Sequence, residues 1–379
     1  IMKNINLLQP SKISFGLGCS SECIDDIAAR GLKRIFILTV DPLLNLLAPF
    51  VDRLQQAGCA VQLDTSITVE PSIGMFETVL AAARSFEPDA VLGIGGGSSM
   101  DTAKLVAALH NSAQYVRDTF GINQLAGRTT FLACLPTTSG TGSEVSPNAV
   151  LLDEGEHLKK GIVSPHLVPD AAYVDPEMTV SVPPSVTAAT GVDAMVHCIE
   201  AYANRFAHPM IDLYALEGIR LIAGHVVRAV ENGKDAGART ALSLGSLYGG
   251  LCLGPVNTAA VHALAYPLGG EFHVPHGVSN SVLLPHVLAF NLPAAPQRYA
   301  DIALALGVEA SDTPEQTAHR GLEKLRQLSA QCGIPASLAY FDIPEEAIPH
   351  MAKAAMKVTR LLKNNVRELT TADAEAIYR

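Results

Sequence analysis

A short apolar run that leads directly into three glycines constrains the fold of this chain more than any other segment. Residues 90–94 read AVLGI, a composition typical of a strand that is buried on both faces of a parallel sheet. Gly95, Gly96 and Gly97 follow at once, and a helix is predicted to start near Met100. Glycines in such a connection let the backbone approach a phosphate group, and the positive end of the helix dipole then faces that group. The alternative is a tight turn that binds no ligand.

The rest of the N-terminal half repeats this alternation of strand and helix. Helices are predicted to end near residue 56 and to span residues 73–86. Short apolar or alternating runs predict strands at residues 34–39, 60–64, 131–136, 148–153 and 172–174. Such alternation indicates an α/β domain with a mostly parallel sheet. We therefore expect residues 1–184 to form an α/β dinucleotide-binding domain.

The pattern changes at Pro183 and Pro184. Beyond them, apolar residues recur mainly at helical spacing. Long helices are predicted over residues 186–204, 209–231, 236–253 and 314–332. Residues 185–379 are accordingly expected to form an all-α domain.

Composition excludes several classes of protein. A formal net charge of −10 and the lack of a basic run argue against a nucleic-acid partner. The longest apolar stretches are interrupted by glycine, proline or charge well before the length of a membrane span. Seven scattered cysteines without a CxxC pair indicate reduced, mostly buried thiols. The first ten residues do not resemble a signal peptide, so we expect a cytoplasmic protein without a membrane partner.

Four residues of the second half can form a metal site. Asp193 and His197 are four apart, so both project from one face of a helix. His262 and His276 come much later in the chain and can complete a site around the first pair. One carboxylate and three imidazoles bind divalent metals strongly and leave room for a substrate oxygen.

A second loop, PTTSGTGSE, also follows a predicted strand. Its glycines and hydroxyl groups can surround the ribose and phosphates of a nucleotide, and Thr137, Thr138 and Thr141 are the candidate contacts. Ser98 of the first loop can add a further hydroxyl donor. The two loops together favour a dinucleotide cofactor over a loop that binds no ligand.

Charged side chains near these loops are further candidates. Asp41 follows the first strand, where a carboxylate accepts hydrogen bonds from the adenosine ribose and repels a 2′-phosphate, which favours NAD over NADP. Its alternative role is a helix N-cap before Pro42. Asp101 and Lys104 lie on the helix after the glycines, where Lys104 either approaches the phosphates or forms a surface ion pair. Lys160 either contacts the cofactor or is simply solvated.

Taken together, these segments resemble the iron-containing (group III) alcohol dehydrogenase family, which is related to glycerol dehydrogenase and dehydroquinate synthase. The matching strings are GGGSSMDTAK (95–104), PTTSGTGSEV (136–145), VPDAAYVDPEMT (168–179), TGVDAMVHCIEAY (190–202) and VHALAYPLGGEFHVPHG (261–277). The resemblance implies a dinucleotide domain followed by a helical metal-binding domain, with the active site between them. It places the metal ligands at Asp193, His197, His262 and His276.

The resemblance also implies the cofactor-binding residues and the metal. The cofactor loops correspond to Gly95–Ser98 and Thr137–Thr141, and the ribose-binding acid corresponds to Asp41. Iron(II) is the expected metal, with zinc(II) second, because oxygen and imidazole ligands suit several divalent ions. NAD is the expected cofactor, and NADP stays open. The family often forms dimers, and a homodimer is expected here.

One position departs from the family pattern. Many relatives have a histidine implicated in proton transfer four residues after the third ligand, and this chain has Tyr266 there. A phenol, with an ordinary pKa of about 10, relays protons poorly at neutral pH. His273 is the candidate substitute, and its alternative role is to line the pocket.

The function expected from these residues is hydride transfer between a metal-bound small alcohol or aldehyde and the nicotinamide. The sequence does not select one alcohol. The alternative is a metal-dependent lyase or cyclase that resembles dehydroquinate synthase and recycles its NAD. Dehydroquinate synthase uses one glutamate and two histidines as metal ligands, whereas the aspartate and three histidines of this chain favour the dehydrogenase.

Overall fold

A computed structural model describes residues 4–156 and 158–379. His157, for which the sequence predicts no ligand role, lies outside the described residues. The chain divides into two compact units. The sheet unit comprises Leu8–Thr138 and Gly142–Val180. The helical unit comprises residues 4–7, Ser139–Thr141 and Ser181–Arg379.

The sheet unit alternates strands with helices. Its described strands are β1 (Lys12–Phe15), β2 (Arg34–Leu38), β3 (Ala60–Asp64), β4 (Ala90–Gly95), β5 (Gly121–Ile122), β6 (Phe131–Pro136), β7 (Asn148–Asp153), β8 (Leu158–Val163) and β9 (Ala171–Val174). Its described helices are α1 (Glu22–Ala29), α2 (Leu44–Gln56), α3 (Ile73–Phe86) and α4 (Gly97–Leu109).

One parallel sheet organises this unit, with the described strands in the order β1-β9-β6-β4-β2-β3. The prediction of an α/β fold with a mostly parallel sheet is thus confirmed. A second sheet has the order β5-β8-β7, and its β7–β8 pair is antiparallel. The strand predicted at residues 148–153 therefore belongs to the small sheet and not to the main one.

Helices cover both faces of the main sheet because its central strands alternate their side chains between two cores. Phe36 and Leu38 of β2 pack in a core with residues of α3 and α4. Ile35 and Ile37 of the same strand pack in another core with residues of α1 and α2. Burial on both faces explains why these strands read as continuous apolar runs.

The helical unit confirms the prediction of a helical second half. Its described helices are α5 (Pro184–Tyr202), α6 (Pro209–Glu231), α7 (Ala236–Leu253), α8 (Ala260–Phe272), α9 (His276–Asn291), α10 (Pro296–Ala305), α11 (Pro314–Gln331), α12 (Ile348–Ala355), α13 (Thr359–Leu362) and α14 (Thr371–Tyr378). Nearly every residue of α5 from Thr187 onwards is buried, so this helix forms the centre of the unit. In the part of the chain that the structure describes, no helix is long and apolar enough to cross a membrane. All seven cysteines are buried and free of disulfide bonds.

Candidate active site

Helix α5 presents Asp193 and His197 one turn apart, as their spacing predicts. Both side chains are buried. Gly249 of α7 makes room behind them, since a Cβ atom there would lie 3.1 Å from the Ala194 carbonyl oxygen and 3.3 Å from His197 Cβ. A larger residue at position 249 would therefore push against the turn of α5 that carries both candidate ligands.

Helices α8 and α9 bring the other two histidines to α5. His262 lies in the first turn of α8, and His276 is the first residue of α9. Gly277 lets the start of α9 approach α5 closely, because a Cβ atom there would lie only 2.7 Å from the Ala189 carbonyl oxygen. Close helix packing at this glycine thus sets the position of His276.

The four side chains converge at one point. Their potential ligand atoms all lie within 4.8 Å of one another. Oδ1 of Asp193 lies 3.9 Å from Nε2 of His197, 3.8 Å from Nε2 of His262 and 3.9 Å from Nε2 of His276. The Nε2 atoms of His197 and His262 are 3.0 Å apart. In a four-coordinate site with bonds of about 2.1 Å, neighbouring ligand atoms are about 3.4 Å apart, so this arrangement fits a divalent metal ion.

A buried glutamate identifies the nitrogen of His262 that faces this point. Glu200, also on α5, has its Oε2 atom 2.7 Å from Nδ1 of His262, and its Oε1 atom accepts the backbone N–H of Val261 at 2.6 Å. Because a carboxylate can only accept, Nδ1 carries the proton and Nε2 keeps its lone pair. A histidine that donates one ring N–H to a carboxylate and turns the other nitrogen inwards is a recurring metal-ligand arrangement.

Asn280 of α9 supports two more members of the cluster. Its Nδ2 group donates to Oδ1 of Asp193 at 2.7 Å and lies 3.1 Å from Nε2 of His276. The sequence analysis singled out neither Glu200 nor Asn280. Their only sequence signal is helical spacing, since Glu200 is three residues after His197 and Asn280 is four residues after His276.

Burial and mutual contact favour the protonation states that bind metals. Burial lowers the pKa of His197 to about 4, with Asp193 acting in the opposite direction. Burial by itself raises the pKa of Asp193, but the three imidazoles and Asn280 outweigh it, and the net shift is downwards. At neutral pH His197 is therefore a neutral imidazole and Asp193 an anion, the forms that bind a cation.

In the sheet unit, the first glycine loop lies where β4 leads into α4. Gly95 ends the strand and Gly97 begins the helix. A Cβ atom on Gly95 would lie 2.6 Å from Ser99 Oγ, so the connection needs glycine at this position. Gly96, Gly97 and Ser98 are half-buried at the helix N-terminus, where free backbone N–H groups are available to an anion.

The second loop starts beside the first at the carboxyl edge of the main sheet. Gly95 pairs with Pro136 across β4 and β6, and the Thr137 N–H donates to the Gly95 carbonyl at 2.9 Å. Thr138 approaches Gly96, where a Cβ atom would lie 3.6 Å from Thr138 Oγ1. Thr141 lies in the short segment Ser139–Thr141 that belongs to the helical unit.

Asp41 follows β2, the neighbour of β4 in the same sheet. It is exposed and is the first residue of a 3₁₀ turn whose N-cap is Val40. The alternative role of Asp41 as an N-cap is therefore wrong. Strands β2, β4 and β6 are neighbours and parallel, so the residues after them share the edge at which α/β sheets bind their ligands.

The other charged candidates make contacts within the sheet unit. The Asp101 carboxylate accepts the Ser143 hydroxyl at 2.5 Å and the Val150 N–H at 3.0 Å. Lys104 is fully buried, so its alternative role in a surface ion pair is wrong. Lys160 lies 2.8 Å from carboxylate oxygens of both Asp153 and Glu156. A direct contact of Asp101 or Lys160 with a cofactor stays a prediction.

Tyr266 and His273 both belong to α8, the helix that carries His262, or to its C-cap. Tyr266 is half-buried one turn after His262 on α8, so the two share a helix face. His273 is the exposed C-cap of the same helix and has a left-handed backbone with φ of 56°. Their proposed catalytic roles stay predictions.

Comparison with known families matches nearly the whole chain. Residues 10–176 match the family model described as iron-containing alcohol dehydrogenase. Residues 187–379 match the model described as Fe-containing alcohol dehydrogenase family, C-terminal. The two matches together contain every candidate ligand, cofactor-binding and catalytic residue named above.

Individual relatives align over most of their length. Long-chain-alcohol dehydrogenase 1 of Geobacillus thermodenitrificans is 40% identical over 100% of this chain and 96% of its own. Lactaldehyde reductase of Escherichia coli K12 is 33% identical over 96% of both chains. A crystal structure of 1,3-propanediol oxidoreductase superposes with a TM-score of 0.96 at 31% identity, over 100% of this chain and 99% of that one.

Proposed function

We propose, from the premise that this chain belongs to the iron-containing alcohol dehydrogenase family, that it is a metal-dependent, NAD-linked alcohol dehydrogenase and aldehyde reductase. The observation that carries the proposal is the convergence of Asp193, His197, His262 and His276 within 4.8 Å. The relatives described above are dehydrogenases and reductases, which favours this function over the lyase alternative. Small alcohols and aldehydes are the proposed substrates.

The helical unit would hold the metal. Asp193, His197, His262 and His276 are the proposed ligands, iron(II) is the proposed ion and zinc(II) the second choice. A divalent ion bound there would supply Lewis-acid chemistry that lowers the pKa of an alcohol or polarises a carbonyl. The contribution of the protein is to keep three imidazole nitrogens and one carboxylate oxygen directed at one point, with Glu200 fixing the orientation of His262.

The sheet unit would hold the cofactor. Gly95, Gly96, Gly97 and Ser98 are proposed to bind the pyrophosphate at the N-terminus of α4. Thr137, Thr138, Thr141 and Lys160 are proposed further contacts. Asp101, the other charged candidate, is assigned an indirect role, because its two carboxylate oxygens already accept hydrogen bonds from Ser143 and Val150. Asp41 would accept the ribose hydroxyls and exclude a 2′-phosphate, which supports NAD over NADP. NAD supplies the hydride chemistry when it is bound.

Proton transfer requires a group of this chain. We assign the proton of the substrate hydroxyl to the imidazole of His273, with Tyr266 contacting the substrate. An imidazole exchanges protons at neutral pH more readily than a phenol does. The exposure of His273 supports this assignment, since an exposed imidazole can pass the proton on to water.

The organisation of the protein is part of the same proposal. We assign residues 1–184 to the dinucleotide-binding domain and residues 185–379 to the metal and substrate domain. A cytoplasmic homodimer is the proposed state of the protein. Sedimentation equilibrium would test the dimer, since a single species of monomer mass would contradict it.

A reconstitution assay tests the function. Protein stripped of metal is reloaded separately with Fe(II) under anaerobic conditions and with Zn(II). Formation of NADH and NADPH is then followed over short and long alcohols, and the reverse reaction over aldehydes. We expect metal-dependent NADH formation. Tight binding of metal and NAD without net NADH on any substrate would instead support the lyase alternative.

A further inference from the structure

The ammonium group of Lys104 donates all of its hydrogen bonds to acceptors within the protein. The side chain is 0% exposed. Its Nζ atom donates to the Ser146 carbonyl at 2.9 Å, to the Ser146 hydroxyl at 3.3 Å and to the Asn148 carbonyl at 2.8 Å. Because an ammonium group has three hydrogens, these acceptors use its full donor capacity. Lys104 therefore has no further N–H to offer a phosphate.

Asp101 makes the matching contacts from the preceding turn of α4. Its Oδ1 atom accepts the Ser143 hydroxyl at 2.5 Å, and its Oδ2 atom accepts the Val150 N–H at 3.0 Å. Lys104 Nζ lies 4.0 Å from Oδ1. With only 18% of the side chain exposed, Asp101 and Lys104 form a buried pair that shares one stretch of partners, residues 143–150.

The hydrogen bonds of this pair link the helix after the first candidate cofactor loop to the segment after the second. Both residues lie on the first turns of α4, the helix whose N-terminus begins at Gly97. Their partners lie on the segment that continues from the second loop into β7. Burying an ammonium group is costly unless it is fully hydrogen-bonded and near an opposite charge. A surface ion pair would need no such arrangement, so the contacts indicate a positional role.

We propose that Asp101 and Lys104 are positioning residues that hold the N-terminus of α4 against residues 143–150 and thereby set the affinity for NAD without contacting it. The inference rests on the proposed function, because it assumes that NAD binds at the α4 N-terminus. Loosening the pair leaves every proposed NAD contact in the chain but lets the two loops move independently. The predicted defect is thus in cofactor binding and not in the chemical step.

A double-mutant cycle on Asp101 and Ser143 tests this role. Asp101→Asn keeps the side-chain volume but loses the charge, and Ser143→Ala removes only the hydroxyl. We expect each substitution to raise the dissociation constant for NAD, measured by calorimetry, by about tenfold. The double variant should lose less affinity than the two single losses combined, because both substitutions weaken the same charge-assisted hydrogen bond. Metal content and kcat at saturating NAD should stay at wild-type values. Ser143→Thr keeps a hydroxyl group at this position and should therefore bind NAD with wild-type affinity.

Asp26→Asn is the matched control, because Asp26 is also a hydrogen-bonded carboxylate of the sheet unit, bound to Lys12 and Tyr173. It should lower thermal stability and leave NAD affinity unchanged. If Asp101→Asn behaves in the same way, the pair is only structural and the inference is wrong. If Asp101→Asn weakens NAD binding but Ser143→Ala does not, Asp101 contacts NAD directly, which also overturns it. A wild-type protein that binds no NAD would overturn both this inference and the proposed function.

Discussion

Glu200 and His262 form a buried hydrogen bond of 2.7 Å between Oε2 of the carboxylate and Nδ1 of the imidazole. The second oxygen of Glu200 accepts the backbone N–H of Val261, the residue before His262. Glu200 therefore fixes both the ring and the backbone at the start of α8. Since the proton is held on Nδ1, the lone pair of Nε2 is directed at the other candidate ligands.

Glu200→Gln should weaken metal binding without removing a ligand. A glutamine has one carbonyl oxygen, so it can accept the N–H of either His262 or Val261 but not replace both bonds, and it lacks the negative charge. We expect metal affinity to fall by about 10- to 100-fold, measured by competition with a chelator. Glu217→Gln, an exposed position on α6, is the matched control and should bind metal normally. Equal affinities in both variants would contradict the role of Glu200.

His276→Ala should abolish metal retention at little cost to folding. The His276 side chain is 32% exposed, whereas His197 and His262 are buried, so its truncation leaves no enclosed cavity. After dialysis we expect metal content to fall to background and turnover to fall by at least about 100-fold. His286→Ala changes an exposed histidine of the same helix and should retain both. Retention of metal by His276→Ala would remove it from the ligand set.

The sequence predicts those strands and helices whose own apolar residues follow the spacing of a strand or a helix. Strands β3 and β6 and helix α3 begin and end where their apolar patterns do. Strands β1 and β8 were not predicted, since KISF and LKKGIV carry lysines and are only partly buried. Helix α9 was not predicted either, and it contains Pro285 in its interior, a residue that ordinarily signals the end of a helix.

In the candidate site, too, the sequence predicts what depends on local spacing and not what depends on packing between helices. The spacing of Asp193 and His197 places them on one helix face, which sequence alone can establish. The contacts of Glu200 and Asn280 exist only because α8 and α9 pack against α5, and no local pattern encodes that packing. Likewise, the burial of Lys104 depends on residues 146 and 148, more than forty positions away in the sequence.

Asp41 should determine the choice between NAD and NADP. Its exposed carboxylate at the end of β2 would repel the 2′-phosphate of NADP. We expect the wild-type protein to prefer NAD, and Asp41→Ser to reduce that preference by at least about tenfold, measured as the ratio of kcat/KM for the two cofactors. Asp52→Ser, an exposed position on α2, should leave the ratio unchanged. A wild-type preference for NADP would show that Asp41 does not face the ribose.

Glu144 should make stability fall as pH rises. Burial raises its pKa from 4.5 to about 7, although its own backbone and Lys104 act in the opposite direction. Below pH 4.5 the carboxyl is protonated in both folded and unfolded states. As pH rises from there to 7, the unfolded state ionises first, so the folded state loses relative stability. Above pH 7 the loss is constant, at up to about 3 kcal/mol.

Glu144→Gln removes this titration. The variant should match the wild type in free energy of unfolding near pH 4.5. At about pH 8 it should be more stable by about 1–3 kcal/mol, as measured by urea denaturation of metal-free protein. Glu77→Gln, on the exposed side of α3, serves as the matched control and should show no such divergence with pH. A difference between Glu144→Gln and the wild type that stays constant with pH would mean that Glu144 is ionised throughout.

His273→Asn and Tyr266→Phe should separate the two candidates for proton transfer. Asparagine is suited to position 273 because it tolerates the left-handed backbone found there, with φ of 56°. We expect His273→Asn to lower kcat by about 100-fold and Tyr266→Phe to lower it by less than about tenfold, with metal content and NAD affinity unchanged in both. A larger defect in Tyr266→Phe than in His273→Asn would assign the proton to the phenol instead.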